Sequence, residues 1–307
     1  MKIIAIVVTY NGMKWYKKCF DSLRESTIHI DTIVIENKSE DNTVAYIKEH
    51  YPEIILVEND SNLGFGKANN IGFKYAIEQN ADFVLLLNQD AWVKPDTIEK
   101  LVGKMIEYPE YGILSPMHLS GREDALDFNF SYYIFPDRCP NLISDFIIMG
   151  GARDRIYPVK FVNAALWLIS RKCLNTLGGF EPLFLHYGED ESYINRLEYH
   201  NYKMGIYPKT FGVHDRDRDG WNKLSFAKRK NKDFVVSLLI MTNVQETFYK
   251  CVYRFLYANA NSFCGNVLHF SFKDAAVNII TFFRIIFLFP RILKNRKIAR
   301  NGNLSFL

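Results

Sequence analysis

The run Phe83-Val84-Leu85-Leu86-Leu87-Asn88-Gln89-Asp90 constrains the fold of this chain more than any other segment. A short apolar run closed by polar residues reads as a strand buried on both faces, and it delivers Asp90 at its carboxyl end. Strands of that kind belong to parallel sheets, and open α/β sheets bind ligands outside those carboxyl ends. Two earlier runs end in the same manner, at Thr9-Tyr10-Asn11-Gly12 and at Glu36-Asn37-Lys38-Ser39. Polar tips of three strands therefore converge, which is how a nucleotide-diphosphate site is commonly built.

The surrounding pattern alternates. Strands are predicted at residues 3–9, 32–36, 54–58, 83–88 and 112–115, with helices near 14–25, 42–49, 66–78 and 96–107. That alternation implies βαβ units with right-handed crossovers in a mostly parallel sheet. Ser39-Glu40-Asp41-Asn42 and Pro95-Asp96 supply helix starts. Residues 117–160 are rich in Asp, Phe and Tyr and yield no regular element; an insertion that long in a compact domain is often functional. Regular structure resumes with a strand at 161–170, a helix, and Gly178-Gly179-Phe180. Gly188-Glu189-Asp190-Glu191 then opens a helix, before short strands at 203–207 and 211–214. The charged stretch from Arg216 to Gly220 marks a change to long helical segments, so the predicted organisation is an α/β domain over 1–215 and a helical region over 216–307.

Composition agrees. With 48% hydrophobic and 23% charged residues among 307, the chain is globular. Its five cysteines form no CxxC pair and leave an odd one, which argues against a disulfide framework or a zinc site and favours a reducing, cytoplasmic setting. The apolar stretch at 3–8 runs directly into Thr9-Tyr10-Asn11 with no small-residue cleavage site, and so reads as a strand rather than a signal peptide. A net charge of +4 conceals a basic tail: residues 275–307 hold six Lys and Arg and no acid. Nucleic-acid binding by the whole protein is accordingly not expected.

These pieces resemble the family 2 glycosyltransferases, especially the rhamnosyltransferase-like branch with the GT-A fold. The matching residues are Val7-Val8-Thr9-Tyr10-Asn11, Ile35-Glu36-Asn37-Lys38-Ser39-Glu40-Asp41 and Asn62-Leu63-Gly64-Phe65-Gly66-Lys67-Ala68-Asn69-Asn70. They continue, in the family's order, with Leu87-Asn88-Gln89-Asp90, Gly178-Gly179-Phe180, Gly188-Glu189-Asp190 and Val213-His214. The likeness spans residues 2–214. A lone Gly64-Phe65-Gly66 or an isolated Thr9-Tyr10-Asn11-Gly12 turn would carry little; the ordered set carries the reading.

The resemblance implies a sugar transfer from a nucleoside diphosphate sugar, with a divalent cation, Mn²⁺ or Mg²⁺, stabilising the departing diphosphate. Asp90 matches the last Asp of the family's DxD-type motif and His214 a metal-binding histidine. Asn88 replaces the motif's first carboxylate, which leaves ribose or metal contact there open. Thr9 and Asn11 match positions lining base and ribose. Glu36 occupies the slot of an Asp that contacts the base, one methylene longer, and Gly64, Lys67 and Asn70 belong to the donor-side loop and helix. Asp190 matches the general base of an inverting displacement, with Glu189 beside it to orient the base or touch the acceptor. Adjacent carboxylates raise each other's pKa whereas a helix N-terminus lowers it, so the net shift stays open. Trp167 and Tyr187 suit sugar stacking, although aromatic residues at such positions are more often core.

The expected partners are a UDP- or dTDP-sugar and a glycan or lipid-linked acceptor shaped by residues 117–160, in cell-surface polysaccharide synthesis at the inner face of the membrane. A homodimer stays open. In the tail, Asn278, Thr281, Arg284, Arg291 and Asn295 form one helical stripe opposite a broad apolar face. Arg284 and Pro290 argue against a membrane span. An interfacial helix beside anionic lipid and a helix packed on the catalytic domain or in a dimer both remain. Two rival functions also follow from the residues. The altered Asn88-Gln89-Asp90 leaves room for a non-catalytic sugar-nucleotide-binding subunit. A nucleotidyltransferase would need an N-terminal Gly-rich phosphate loop in place of Thr9-Tyr10-Asn11-Gly12.

Overall fold

Strands and helices alternate along the first third of the chain as their patterning dictates. In a computed structural model, which describes residues 1–216 and 226–307, this part comprises β1 (Ile3–Thr9), α1 (Met13–Arg24), β2 (Asp31–Glu36), α2 (Thr43–His50), β3 (Ile55–Glu58), α3 (Phe65–Glu78), β4 (Phe83–Asn88), β5 (Ala91–Val93), α4 (Thr97–Glu107) and β6 (Tyr111–Leu119). Then come α5 (Phe128–Tyr133), α6 (Leu142–Met149), β7 (Tyr157–Pro158), β8 (Leu166–Ser170), α7 (Arg171–Leu177), α8 (Glu189–Tyr199) and β9 (Lys203–His214). Three helices close the chain: α9 (Phe226–Thr242), α10 (Phe248–Leu268) and α11 (Phe272–Asn301).

The strands form one mixed sheet in the order β3-β2-β1-β4-β8-β6-β9-β5, with β7 added on β9. Strands β3, β2, β1 and β4 are parallel neighbours, as is the pair β6 and β9. Strand β8 runs antiparallel between β4 and β6. The chain order reverses between β1 and β4, so a crevice opens at their carboxyl ends. Strand β4 is buried on both faces, as its composition predicts. Val84 and Leu86 join one apolar layer with Phe73 of α3, while Phe83, Leu85 and Leu87 join the other with Phe20 of α1 and Leu101 of α4. Each such side chain contributes about 1.5–3 kcal/mol by leaving water.

Three expectations change in detail. Residues 117–160 are not without regular structure: they contain α5, α6 and β7. The Asp127 carboxylate caps α5 by accepting from the Phe130 N–H at 2.9 Å. The two strands predicted at 203–207 and 211–214 are one strand, β9, whose pairing with β6 shifts register between Pro116 and Met117. Pro208 cannot donate to a ladder, which is why the pattern reads as broken there. Finally, α11 runs through Pro290 with the ring at the exposed surface. Most of the charged stretch predicted to separate the two regions, Asp217 to Gly220, lies outside the described residues.

Helices α9, α10 and α11 pack on the sheet-bearing part through an apolar cluster that includes Phe184, Phe234, Leu238, Phe255 and Ile285. The chain end returns to the core: the Gly179 N–H donates to Ser305 O at 2.8 Å, and the buried Arg196 guanidinium donates to Leu177 O and Gly179 O at 2.7 and 2.6 Å. The amide and hydroxyl side chains of the polar stripe of α11 turn inward, while Arg291 is exposed. Asn278 and Thr281 are 2% and 0% exposed, and Asn278 Oδ1 accepts from Asn266 Nδ2 at 2.8 Å. Asn295 donates to Glu181 Oε1 at 3.1 Å. The apolar stripe faces outward instead, with Phe283 at 64% and Phe287 at 79% exposure. By length and composition α11 is long and apolar enough to cross a membrane.

Candidate active site

The crevice is assembled from strand ends that the sheet brings side by side. Val8 pairs with Asn88 and Thr9 with Glu36, so the tips of β1, β2 and β4 lie in one row. Gln89, the middle residue of Asn88-Gln89-Asp90, clamps this switch point: its Oε1 accepts from Tyr10 N–H at 2.8 Å and its Nε2 donates to Tyr10 O at 3.0 Å. This clamping role was not foreseen from the sequence. A side-chain amide presents donor and acceptor together, so it can close a two-point bond with backbone that a carboxylate cannot.

Beyond the clamp, β5 pairs antiparallel with β9, placing Ala91 opposite His214. As a result His214 Nε2 lies 3.4 Å from Asp90 Oδ1, bringing together the two residues singled out as metal ligands. His214 is buried and its Nδ1 has no hydrogen-bond partner among the described residues. Adjacent positions of an octahedral shell with bonds near 2.1 Å are about 3 Å apart, so an oxygen and an imidazole nitrogen at this spacing suit a divalent cation. Among the described residues no group of three His, Cys, Asp or Glu side chains converges on one point.

Residues missed by sequence reasoning stand behind the pair. His118 of β6 is buried with its ring 6.3 Å from that of His214, and its Nε2 shares a 2.8 Å hydrogen bond with Ser115 Oγ. Burial, followed by the charge of His214 and Arg216, holds His118 well below the usual imidazole range. Asp215 accepts from Trp15 Nε1 at 3.0 Å, tying the end of β9 to α1. Arg216 pairs with Asp127 at 3.2 Å, and its buried Nη2 has no partner among the described residues. Its position two residues after His214 was the available signal.

The second part of the site is the N-terminus of α8. Tyr187 and Gly188 precede it with φ of 71° and 88°, consecutive left-handed residues that aim Glu189-Asp190-Glu191 into the first turn. An aromatic residue held at positive φ is strained backbone of the kind that collects at functional sites. Burial, then the neighbouring Asp190 charge, pushes Glu189 up to about 7. The Glu189 side chain is buried and Oε2 has no partner among the described residues. Asp190 is also raised, mainly by burial, against the lowering effect of backbone N–H groups and of Arg216. Glu191 is raised by burial and by Asp190. Burial therefore outweighs the helix N-terminus in this acidic turn.

Helix α3 abuts the same turn. A Cβ on Gly66 would lie 3.2 Å from Phe180 and 3.6 Å from Glu189, and one on Gly64, at φ 77°, would lie 2.7 Å from Leu185 O. The remaining candidate residues divide. Thr9 is fully buried with an unpartnered hydroxyl at the crevice end of β1. Asn11, at φ 48°, accepts from Glu40 N–H at 2.8 Å and so ties the loop after β1 to the loop after β2. Glu36 is buried and accepts from the N–H groups of Lys38 and Ser39 at 3.0 and 2.6 Å, shaping its own loop. Asn88 follows in line, half-buried. Lys67 is exposed on the first turn of α3 and lines a cavity against α11. Asn70 points elsewhere: it donates to Phe180 O at 2.9 Å and accepts from Phe180 N–H at 2.7 Å. Trp167 is core, donating to Val162 O at 3.0 Å, whereas Tyr187 is 77% exposed beside the acidic turn.

The model of the family described as "Glycosyl transferase family 2" matches residues 4–172. Glycosyltransferase GlyA of Streptococcus pneumoniae is 29% identical over 110 residues, covering 35% of this chain but only 15% of its own length. N-acetylglucosaminyl-diphospho-decaprenol L-rhamnosyltransferase of Mycobacterium tuberculosis is 23% identical over 218 residues, covering 62% of this chain and 69% of its own. Among solved structures, the mannosyltransferase PcManGT from Pyrobaculum calidifontis in complex with GDP-Man and Mn²⁺ is similar with a TM-score of 0.59, at 17% identity, over 93% of this chain and 75% of that one. TarS of S. aureus, residues 1–349 in complex with UDP, gives 0.55 at 16% identity over 83% and 71%. The fold is accordingly that of the GT-A glycosyltransferases, and the chain belongs to glycosyl transferase family 2 and is a glycosyltransferase enzyme.

Proposed function

We propose that this enzyme moves one sugar, with inversion, from a UDP- or dTDP-sugar to a hydroxyl of a glycan or lipid-linked glycan during assembly of a cell-surface polysaccharide. The observation that carries the reading is the 3.4 Å approach of His214 to Asp90 at the crevice end of β4. The nucleoside sits over the tips of β1 and β2, where the Thr9 hydroxyl is unpaired and Asn11 and Glu36 fix the two loops. Asp90 and His214 hold a divalent cation, Mn²⁺ or Mg²⁺, which supplies positive charge for the departing diphosphate. Imidazole in the set favours Mn²⁺.

Asp190 accepts the proton of the acceptor hydroxyl as that oxygen bonds to the anomeric carbon and the bond to the diphosphate breaks. Its raised pKa suits a base, since proton affinity is what a base contributes. Glu189 orients that carboxylate, and Arg216 restrains its charge. The amphipathic basic tail suits a place at the inner face of the membrane.

The test is nucleoside diphosphate release from a panel of UDP-, dTDP- and GDP-sugars, with and without Mn²⁺, in the wild type and in Asp90→Asn and Asp190→Asn. Metal-dependent release from one donor, reduced in both variants, supports the reading. Absence of any nucleotide binding by calorimetry would overturn it.

A further inference from the structure

An open cavity of about 700 Å³ lies between the Pro182–Leu185 loop and α11. Leu183, Leu185, Phe283 and Phe287 give it an apolar wall, and Lys67, Arg284 and Arg291 give it cations. Among the described residues no carboxylate lines it and no acidic side chain pairs with these cations. Arg284 lies with its guanidinium 3.5 Å from the centre of the Phe234 ring, and burial lowers its pKa. Apolar wall and unpaired positive charge in one groove describe a receptor for an anionic amphiphile.

The polarity of α11 points to where that amphiphile comes from. Within its polar stripe Asn278 bonds Asn266 and Asn295 bonds Glu181 inside the protein, Arg284 and Arg291 line the groove, and the neighbouring Phe283 and Phe287 stay exposed. A helix with its amide side chains satisfied internally and its aromatic side chains outward can lie at a membrane interface, its arginines at the level of the headgroups. The groove also borders the loop that leads to the acidic turn. Leu185 belongs to the loop that leads through Tyr187 and Gly188 into Glu189-Asp190, and Lys67 follows the Gly66 that packs on Glu189.

We propose that this groove seats the lipid of the acceptor: an isoprenoid-like apolar chain against Leu185, Phe283 and Phe287, with its phosphate on Lys67, Arg284 and Arg291. The chain then runs outward along the exposed face of α11, and the sugar end reaches Asp190. The inference rests on the glycosyltransferase reading of the Asp190 loop, takes the lipid-linked form of its acceptor, and adds the place where the lipid and its phosphate are held.

The experiment is calorimetric titration of the full chain with farnesyl phosphate at saturating UDP and Mn²⁺, so that the donor site is closed to the phosphate. Farnesol and inorganic phosphate are titrated in parallel, with the variants Phe283→Ser and Arg291→Gln, both at exposed positions outside the catalytic loop. Farnesyl phosphate should bind at least about tenfold more tightly than either fragment and lose about tenfold in each variant, with UDP binding unchanged. Three results would overturn the proposal: equal binding of chain and fragments, binding insensitive to both variants, or sedimentation showing that the face is buried in a dimer that Phe283→Ser disperses. Loss of UDP binding in the wild type would instead strike at the glycosyltransferase reading.

Discussion

Asp90 and His214 face each other across 3.4 Å because β5 and β9 are antiparallel neighbours with Ala91 opposite His214. The Asp215 N–H donates to Asp90 O at 2.8 Å and locks that register. The spacing of the two candidate metal ligands is thus a property of backbone pairing, and a small change in either strand end would alter it.

Removing either ligand should cost the same function. Asp90→Asn and His214→Ala are each expected to lower Mn²⁺-dependent transfer by about 10²–10³-fold, since stabilising the leaving diphosphate is worth several kcal/mol. The fold should be retained. Initial rates over a Mn²⁺ titration, with circular dichroism as the control for folding, check this; a variant with wild-type metal dependence would remove that residue from the site.

The acidic turn should leave a signature in stability against pH. Glu189 titrates near 7 in the folded chain, up from an unfolded value of 4.5. A raised carboxyl keeps its proton on folding, so its contribution is fully present below 4.5 and is lost as pH rises through about 7. Glu189→Gln should therefore stabilise the protein above pH 8, by up to about 3 kcal/mol, and leave it unchanged near pH 4. Thermal unfolding of both proteins across that range measures the difference; an equal Tm difference at both ends would show that Glu189 is not raised.

Sequence patterning revealed most of the fold because β1, β2, β4 and the helices between them obey local rules, apolar runs with polar tips and amphipathic stretches between them, although Asn42 and Asp96, offered by the sequence as helix starts, make no side-chain cap hydrogen bond. Asp90 and His214 stood out as residues in the sequence, but their proximity did not, since it depends on β9 returning beside β5. Helices α5 and α6 were missed because the short segments Phe128–Tyr133 and Leu142–Met149 span too few turns to show a period. Arg216 and His118 carried no motif. Gln89 stood inside a motif whose family pattern directs attention to its flanking residues. The stripe on α11 was visible, but periodicity alone does not say which face turns inward.

Asn70 illustrates a residue whose motif position and structural use diverge. Its side chain exchanges two hydrogen bonds with the Phe180 backbone, and Nδ2 also reaches Phe306 O at 3.4 Å. Asn70→Ala should leave those partly buried backbone groups unsatisfied and cost about 1–3 kcal/mol of stability, with little change in UDP affinity. Chemical denaturation alongside nucleotide titration separates the two effects. A large loss of UDP binding at unchanged stability would return Asn70 to the donor site.

Gly64 is where backbone conformation, packing and chemistry meet. It holds φ 77° immediately before α3, and a Cβ there would come within 2.7 Å of Leu185 O. That contact is with backbone, so no rotamer change relieves it. The strain of a non-glycine residue at positive φ adds to the clash, and Gly64→Ala should cost about 1–3 kcal/mol. The loop that yields is the one from Leu185 to Gly188, which carries Glu189 and Asp190 into place. On the proposed assignment, with the nucleotide over the tips of β1 and β2 and Asp190 as the base, turnover should fall more than donor affinity does, because the base moves with the loop. Comparing kcat with donor Kd for Gly64→Ala tests this coupling: an unchanged kcat in a destabilised protein would show that the loop holds the base independently of α3.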